Sequence, residues 1–148
     1  MPKPSAPRIG VVVVSHGQFA TELLNAAEMI VGDLPGFIAV SIGWHDDVTV
    51  ARDAIALAIE KVDRGRGVLL LTDMFGGTPS NLGLSFLEAG RIDVVTGANL
   101  PMLIKLAKIT ETGDLTAISR EICEHGRAAI RVASDLLRAD SDLGPSGS

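Results

Sequence analysis

The sequence predicts an α/β fold: a three-layer, doubly wound, mostly parallel sheet in a single domain. Three observations predict it. Val11–Val14 and Val68–Thr72 are strand-length runs without apolar–polar alternation, as expected of strands buried on both faces. Each strand-like run is followed by a stretch with helical spacing, so strand and helix alternate along the chain. A length of 148 residues suits one domain. The expected organisation is a flexible leader over residues 1–7, a domain over 8–138 and a mobile tail over 139–148.

The first strand lies within Arg8–Ser15, where Val11–Val14 are four consecutive β-branched residues. Gln18–Val31 follows as a helix, with Phe19, Leu23, Ala26, Ala27 and Ile30 on its core side and Gly32 placed to end it. Phe37–Ile42 is the second strand. Asp46 or Asp47 can cap the next helix, Val48–Val62. After a turn at Asp63–Gly67, Val68–Thr72 is the third strand. Asp73–Thr78 is a glycine-bearing loop, and Pro79 suits the first turn of a helix running to Glu88 and stopping at Gly90. Ile92–Thr96 is the fourth strand, and Pro101 starts a helix reaching Lys108. Leu115, Ile118, Ile122, Ala129, Ile130, Val132, Ala133 and Leu137 then recur at helical spacing, predicting one long final helix over Asp114–Arg138 under polar cover from Ser119, Arg120, Glu121 and Glu124.

Composition narrows the function. Hydrophobic residues make up 47% of the chain, enough for a sizeable core and too many for global disorder. Thirteen Lys and Arg against eighteen Asp and Glu give a net charge of -5, which argues against a nucleic-acid partner. Aromatic residues are only 3%, with no Tyr, too few for base-stacking platforms. A single cysteine excludes an intramolecular disulfide and fits a cytoplasmic location. No apolar run approaches the ~20 residues that span a bilayer. The first eight residues carry three prolines and no apolar segment, so neither direct membrane insertion nor a signal peptide is expected.

In an open α/β sheet, ligands bind outside the carboxyl ends of the strands. The polar clusters there are Ser15–Gly17, His45–Asp47, Asp73–Asn81 and Gly97–Asn99. His16 leads directly off the first strand, and its imidazole suits acid–base chemistry, metal ligation or nucleophilic attack. Asp73 ends the third strand in the equivalent position, where a carboxylate on one ring nitrogen would leave the other as nucleophile. On spacing alone, the same two residues serve equally well as caps of the helices that follow. Gly76, Gly77 and Thr78 precede a helix N-terminus and offer N–H groups and a hydroxyl to an anion such as a phosphoryl group, or form an ordinary glycine loop. They match neither a dinucleotide fingerprint nor a P-loop.

Other schemes fit less well. Ser15 and His16 are strand neighbours and point apart, and no GxSxG elbow occurs. Three scattered histidines without HExxH or clustered cysteines make a zinc site improbable. Cys123 reads as a half-buried helix residue, and His125 at i+2 faces another way. Trp44 and His45 either rim the cleft or form an exposed loop pair.

Three blocks in order, VVVVSHG at Val11–Gly17, LLTDMFGGTPSN at Leu70–Asn81 and TGANLPML at Thr96–Leu103, resemble the EIIA component of the mannose family of the bacterial phosphoenolpyruvate:sugar phosphotransferase system. The resemblance covers about Arg8–Arg138. It implies that His16 carries a phosphoryl group received from the phosphocarrier HPr and passed to an EIIB component, without a metal or other cofactor. It implies that Asp73 holds Nδ1–H of His16, that Nε2 is phosphorylated, that Gly77 and Thr78 bind the phosphoryl oxygens, and that the chain forms a homodimer. Shuttling between two proteins suggests a shallow apolar rim, for which Phe19, His45, Met74, Phe75, Pro101 and Met102 are candidates. Enteric sugar transporters of this family have Thr and Trp where this chain has Met74 and Phe75, Ser in place of Thr78 and Phe in place of Ser80. No fifth strand is evident after the last helix. A phosphohistidine switch acting on a non-transport partner would use the same residues.

Overall fold

The computed structural model describes residues 6–143, with side chains described to residue 138. Four strands form one parallel sheet: β1 (Gly10–His16), β2 (Phe37–Ile42), β3 (Val68–Thr72) and β4 (Ile92–Thr96), in the order β2-β1-β3-β4. Val11–Val14 are fully buried, as strands with helices on both faces require. Alternation along the strands divides the core. Val11, Val13, Leu69 and Leu71 face α1 (Phe19–Val31), α4 (Leu100–Ile109) and α5 (Leu115–Ala128). Val12, Val14, Val68 and Leu70 face α2 (Val48–Val62) and α3 (Gly77–Leu84).

The strand order decides where a site can form. From β1 the chain moves to one side to make β2, then crosses back to the other side of β1 to make β3. The crevice at the carboxyl ends of β1 and β3 is therefore the switch point of the sheet.

Several elements depart from their expected course. The buried stripe of α1 is Ala20, Leu23, Leu24 and Ala27, at helical spacing, so Phe19 and Ile30 lie outside it and are exposed. Asp47 caps α2 by accepting from the N–H groups of Thr49 and Val50, whereas Asp46 accepts from Gly43 N–H at 2.6 Å. Helix α3 ends at Leu84 rather than Glu88. Its last turn tightens as Ser85 N–H and Phe86 N–H reach the carbonyls of Leu82 and Gly83, and Glu88 then bridges Ile92 in antiparallel fashion.

The long final helix is two helices. The core-facing stripe of α5 is Leu115, Ile118, Ser119, Ile122 and Gly126. Ser119, expected as polar cover, is buried and donates its hydroxyl to Leu115 O at 2.8 Å. Past Ala128 the apolar residues Ile130, Val132 and Leu137 keep helical spacing but are exposed, with no core beneath them. Helix α6 (Ala133–Leu143) begins after this break and carries helix through the first five residues of the expected tail. Residues 144–148 of that tail, and 1–5 of the leader, lie outside the described residues.

Candidate active site

The switch point holds His16 and Asp73, 57 residues apart in sequence. His16 is the last residue of β1 and Asp73 the first after β3, so adjacent parallel strands deliver both to one rim. Asp73 Oδ2 accepts the backbone N–H of His16 at 2.9 Å and lies 2.7 Å from His16 Nδ1. Its other oxygen accepts Met74 N–H at 3.0 Å. Neither residue caps a helix: α1 and α3 have Gln18 and Gly76 at their N-caps, without side-chain caps.

This arrangement orients the imidazole. An ionised carboxylate only accepts hydrogen bonds, so Nδ1 carries the proton, and in the neutral ring the lone pair is on Nε2. Burial alone would raise the pKa of Asp73. The backbone and ring hydrogen bonds from His16, the attraction of its ring charge and the Met74 N–H together outweigh burial and hold the carboxyl below the usual range. The His16 side chain is 52% exposed and that of Asp73 only 15%, so the ring is presented to solvent while its positioning group is shielded.

The free edge of the ring faces the start of α3. A Cβ placed on Gly77 would stand 3.1 Å from both Cε1 and Nε2 of His16, and the φ of this residue is +84°. Only glycine meets both conditions without strain. The N–H groups of Gly77 and Thr78 fall in the first turn of α3, where no intrahelical acceptor exists. An anion bound at Nε2 would meet these donors and the positive end of the helix dipole. The cleft over this edge has a volume of about 470 Å³ and is lined by His16, Gly17, Ile42, Gly43, Trp44, Gly77 and Thr78.

Two supporting hydroxyls were not singled out from the sequence as supports. Ser15 is buried; its Oγ accepts Ala20 N–H at 2.6 Å and donates to His16 O at 3.1 Å, fixing the turn from β1 into α1. That occupies the hydroxyl and agrees with its exclusion as a nucleophile. Thr72, also buried, donates Oγ1 to Met74 O at 3.2 Å and braces the loop that holds Asp73. The spacing from Ser15 to Ala20 matches no common cap, so no sequence signal pointed to it.

The rim candidates divide. Phe19, Met74 and Phe75 are exposed, and Pro101 is half-buried in the first turn of α4. Met102 is a correction: it is 2% exposed and belongs to the core. It packs so closely under α5 that a Cβ on Gly126 would meet its Sδ at 2.7 Å. The periodicity of α4 turns the residue after Pro101 inward. His45 is exposed on the loop after β2, outside the residues lining the cleft, while its neighbour Trp44 lines it. Cys123 is half-buried on α5, as expected.

Comparisons with known proteins point to one family. The family model described as "PTS system fructose IIA component" matches residues 10–123. The fructose-specific EIIA component of Bacillus subtilis (strain 168) is 29% identical over 143 residues, 89% of this chain and 98% of that protein. The sorbose-specific EIIA component of Lacticaseibacillus casei is 34% identical over 98 residues, 66% of this chain and 70% of its own. The crystal structure of the PTS IIA protein associated with the fucose utilization operon from Streptococcus pneumoniae superposes with a TM-score of 0.80 at 27% identity, covering 90% of this chain and 99% of that one. With its parallel sheet, its histidine at the switch point and these relatives, the chain belongs to the mannose-family EIIA components of the sugar phosphotransferase system.

Proposed function

We propose that this EIIA component acts in the cytoplasm, accepting a phosphoryl group from phospho-HPr on Nε2 of His16 and passing it to an EIIB component in sugar uptake. The observation that carries the reading is the 2.7 Å contact between Nδ1 and Asp73, which leaves Nε2 free against the N-terminus of α3. In the transfer, the Nε2 lone pair attacks phosphorus and a P–N bond forms. The P–N bond to the donor histidine breaks, and its electron pair returns to that ring. The Nδ1 proton stays on His16, and Asp73 balances the cation developing on the ring. Such transfers rest on positioning and charge stabilisation, which the Gly77 and Thr78 N–H groups and the Thr78 hydroxyl would supply to the phosphoryl oxygens. Incubation with enzyme I, HPr and labelled phosphoenolpyruvate tests this. One acid-labile, base-stable phosphate per chain, chased onto an added EIIB, is the expected result; an unlabelled chain overturns the reading.

Gly77 offers a finer probe. In G77A the new Cβ meets the ring edge at 3.1 Å and holds a φ of +84°, which costs an L-residue about 1–2 kcal/mol. The expected result is a modest fall in melting temperature and at least a roughly tenfold slower labelling by phospho-HPr, because the methyl occupies the space the phosphoryl group needs. Wild-type labelling in G77A would remove this contact from the site.

We also propose that the chain forms a homodimer. Strand β4 is at the edge of the sheet, so one side of its backbone is unpaired among the described strands. Beside it runs a groove lined by Val94, Val95, Cys123 and Ile130, and beyond Ile130 the residues Val132, Leu136 and Leu137 are exposed. A second copy covering this region would bury both. Light scattering at micromolar concentration is expected to give twice the chain mass; a monomer mass counts against it.

A further inference from the structure

Trp44 contributes little to the fold, yet it stands at the mouth of the His16 cleft. It is the chain's one tryptophan, and it is 94% exposed. Its ring meets His45 edge-on at a centroid distance of 6.4 Å. The backbone beneath it is held from both sides. Gly43 N–H donates to the Asp46 carboxylate at 2.6 Å and Asp46 N–H donates to Gly43 O at 3.2 Å, while Asp47 is fixed as the cap of α2. A short hydrogen-bonded turn thus projects a large amphipathic ring into solvent beside His16, Gly77 and Thr78.

We propose that Trp44 is the anchor on which the phosphohistidine-bearing donor protein docks, an inference that rests on the carrier reading above. Transfer requires the donor's phosphorus within about 3–3.5 Å of Nε2. A protein that delivers it there must close over the cleft and bury the residues lining it. Among those, the side chain with large apolar area still open to solvent is Trp44, since Ile42 is already buried. The turn is preorganised, so little loop entropy is lost when the indole is covered. Tryptophan dominates interfaces through this combination of apolar area and one N–H donor. The donor surface that fits is an apolar patch beside the phosphohistidine. A basic rim would meet the exposed Asp46 and Asp47.

Steady-state transfer from phospho-HPr to the wild type, W44A and W44F tests the proposal. W44A is expected to raise KM for the donor about 10- to 30-fold, with the rate at saturating donor within about twofold. W44F should recover most of the loss. Matching thermal unfolding of the three proteins is expected, because the side chain lies outside the core. A labelled wild type with an unchanged KM in W44A overturns the anchor alone. A wild type that takes no label overturns the carrier reading and the anchor with it.

Discussion

Replacing His16 by alanine is expected to abolish HPr-dependent labelling while leaving the fold intact. The loss should be complete, because attack on phosphorus needs a nitrogen lone pair and, among the described residues, His16 is the one histidine at the switch point facing the α3 N-terminus. The fold should survive for a structural reason. Residue 16 keeps its β1 backbone, and its N–H still reaches the Asp73 carboxylate; only the ring bond disappears. His45 and His125 cannot substitute. His45 lies on an exposed turn against Trp44, and His125 lies on α5. H45A and H125A should therefore retain one phosphate per chain. Quantitative labelling with acid and base stability checks all three variants. Stoichiometric label in H16A would remove His16 from the mechanism.

Much of the fold was legible because burial on both faces leaves a plain mark. Val11–Val14 could be read as a central strand because four β-branched residues in a row suit neither an amphipathic helix nor a half-exposed strand. All four are fully buried. The same logic failed at the C-terminus. Ile130, Val132 and Leu137 carry a helical period, but a period reports only that a face could be buried. Whether a surface waits opposite depends on the tertiary path, and here α5 runs out of core after Gly126. The end of α3 was hidden for a related reason. Ser85 Oγ closes the last turn on Leu82 O, and the chain beyond is tied into the Glu88–Ile92 bridge, which depends on where β4 begins.

The site was legible where strand ends delivered it. His16 and Asp73 each close a buried strand, and parallel neighbours in register bring their carboxyl ends together. The choice between caps and a catalytic pair could not be made from spacing, because both roles place the same residues at the same loops. The caps are excluded by Gln18 and Gly76 at the N-cap positions, and Oδ2 of Asp73, bonded to the backbone N–H and close to the ring of His16, supports the proposed pair. The rim was harder to read. Neighbouring residues diverge: Pro101 and Met102 differ in exposure on α4, and Trp44 lines the cleft while His45, likewise exposed, does not.

D73N is expected to slow phosphotransfer about 100-fold without unfolding the protein, through tautomer and charge rather than shape. In the wild type one carboxylate oxygen faces two donors, His16 N–H and Nδ1–H, while the other faces Met74 N–H. An asparagine has one acceptor and one NH₂ group. Turning its oxygen to His16 sets NH₂ against Met74 N–H; turning it the other way sets NH₂ against the backbone N–H of His16 and pulls the proton from Nδ1 to Nε2. Either orientation loses a hydrogen bond, and the second silences the nucleophile. Both remove the negative charge that offsets the cation developing on the ring. The stability difference between wild type and D73N should also depend on pH. Hydrogen bonds and the ring charge of His16 depress the Asp73 pKa in the native state despite burial. A depressed carboxylate stabilises the fold fully above its unfolded value of about 3.9, and that contribution is lost as pH falls through the lower native pKa. Melting temperatures of the two proteins should therefore differ near neutrality and converge in strong acid. A gap that stays constant across this range, or a normal transfer rate in well-folded D73N, would take Asp73 out of the role its geometry gives it.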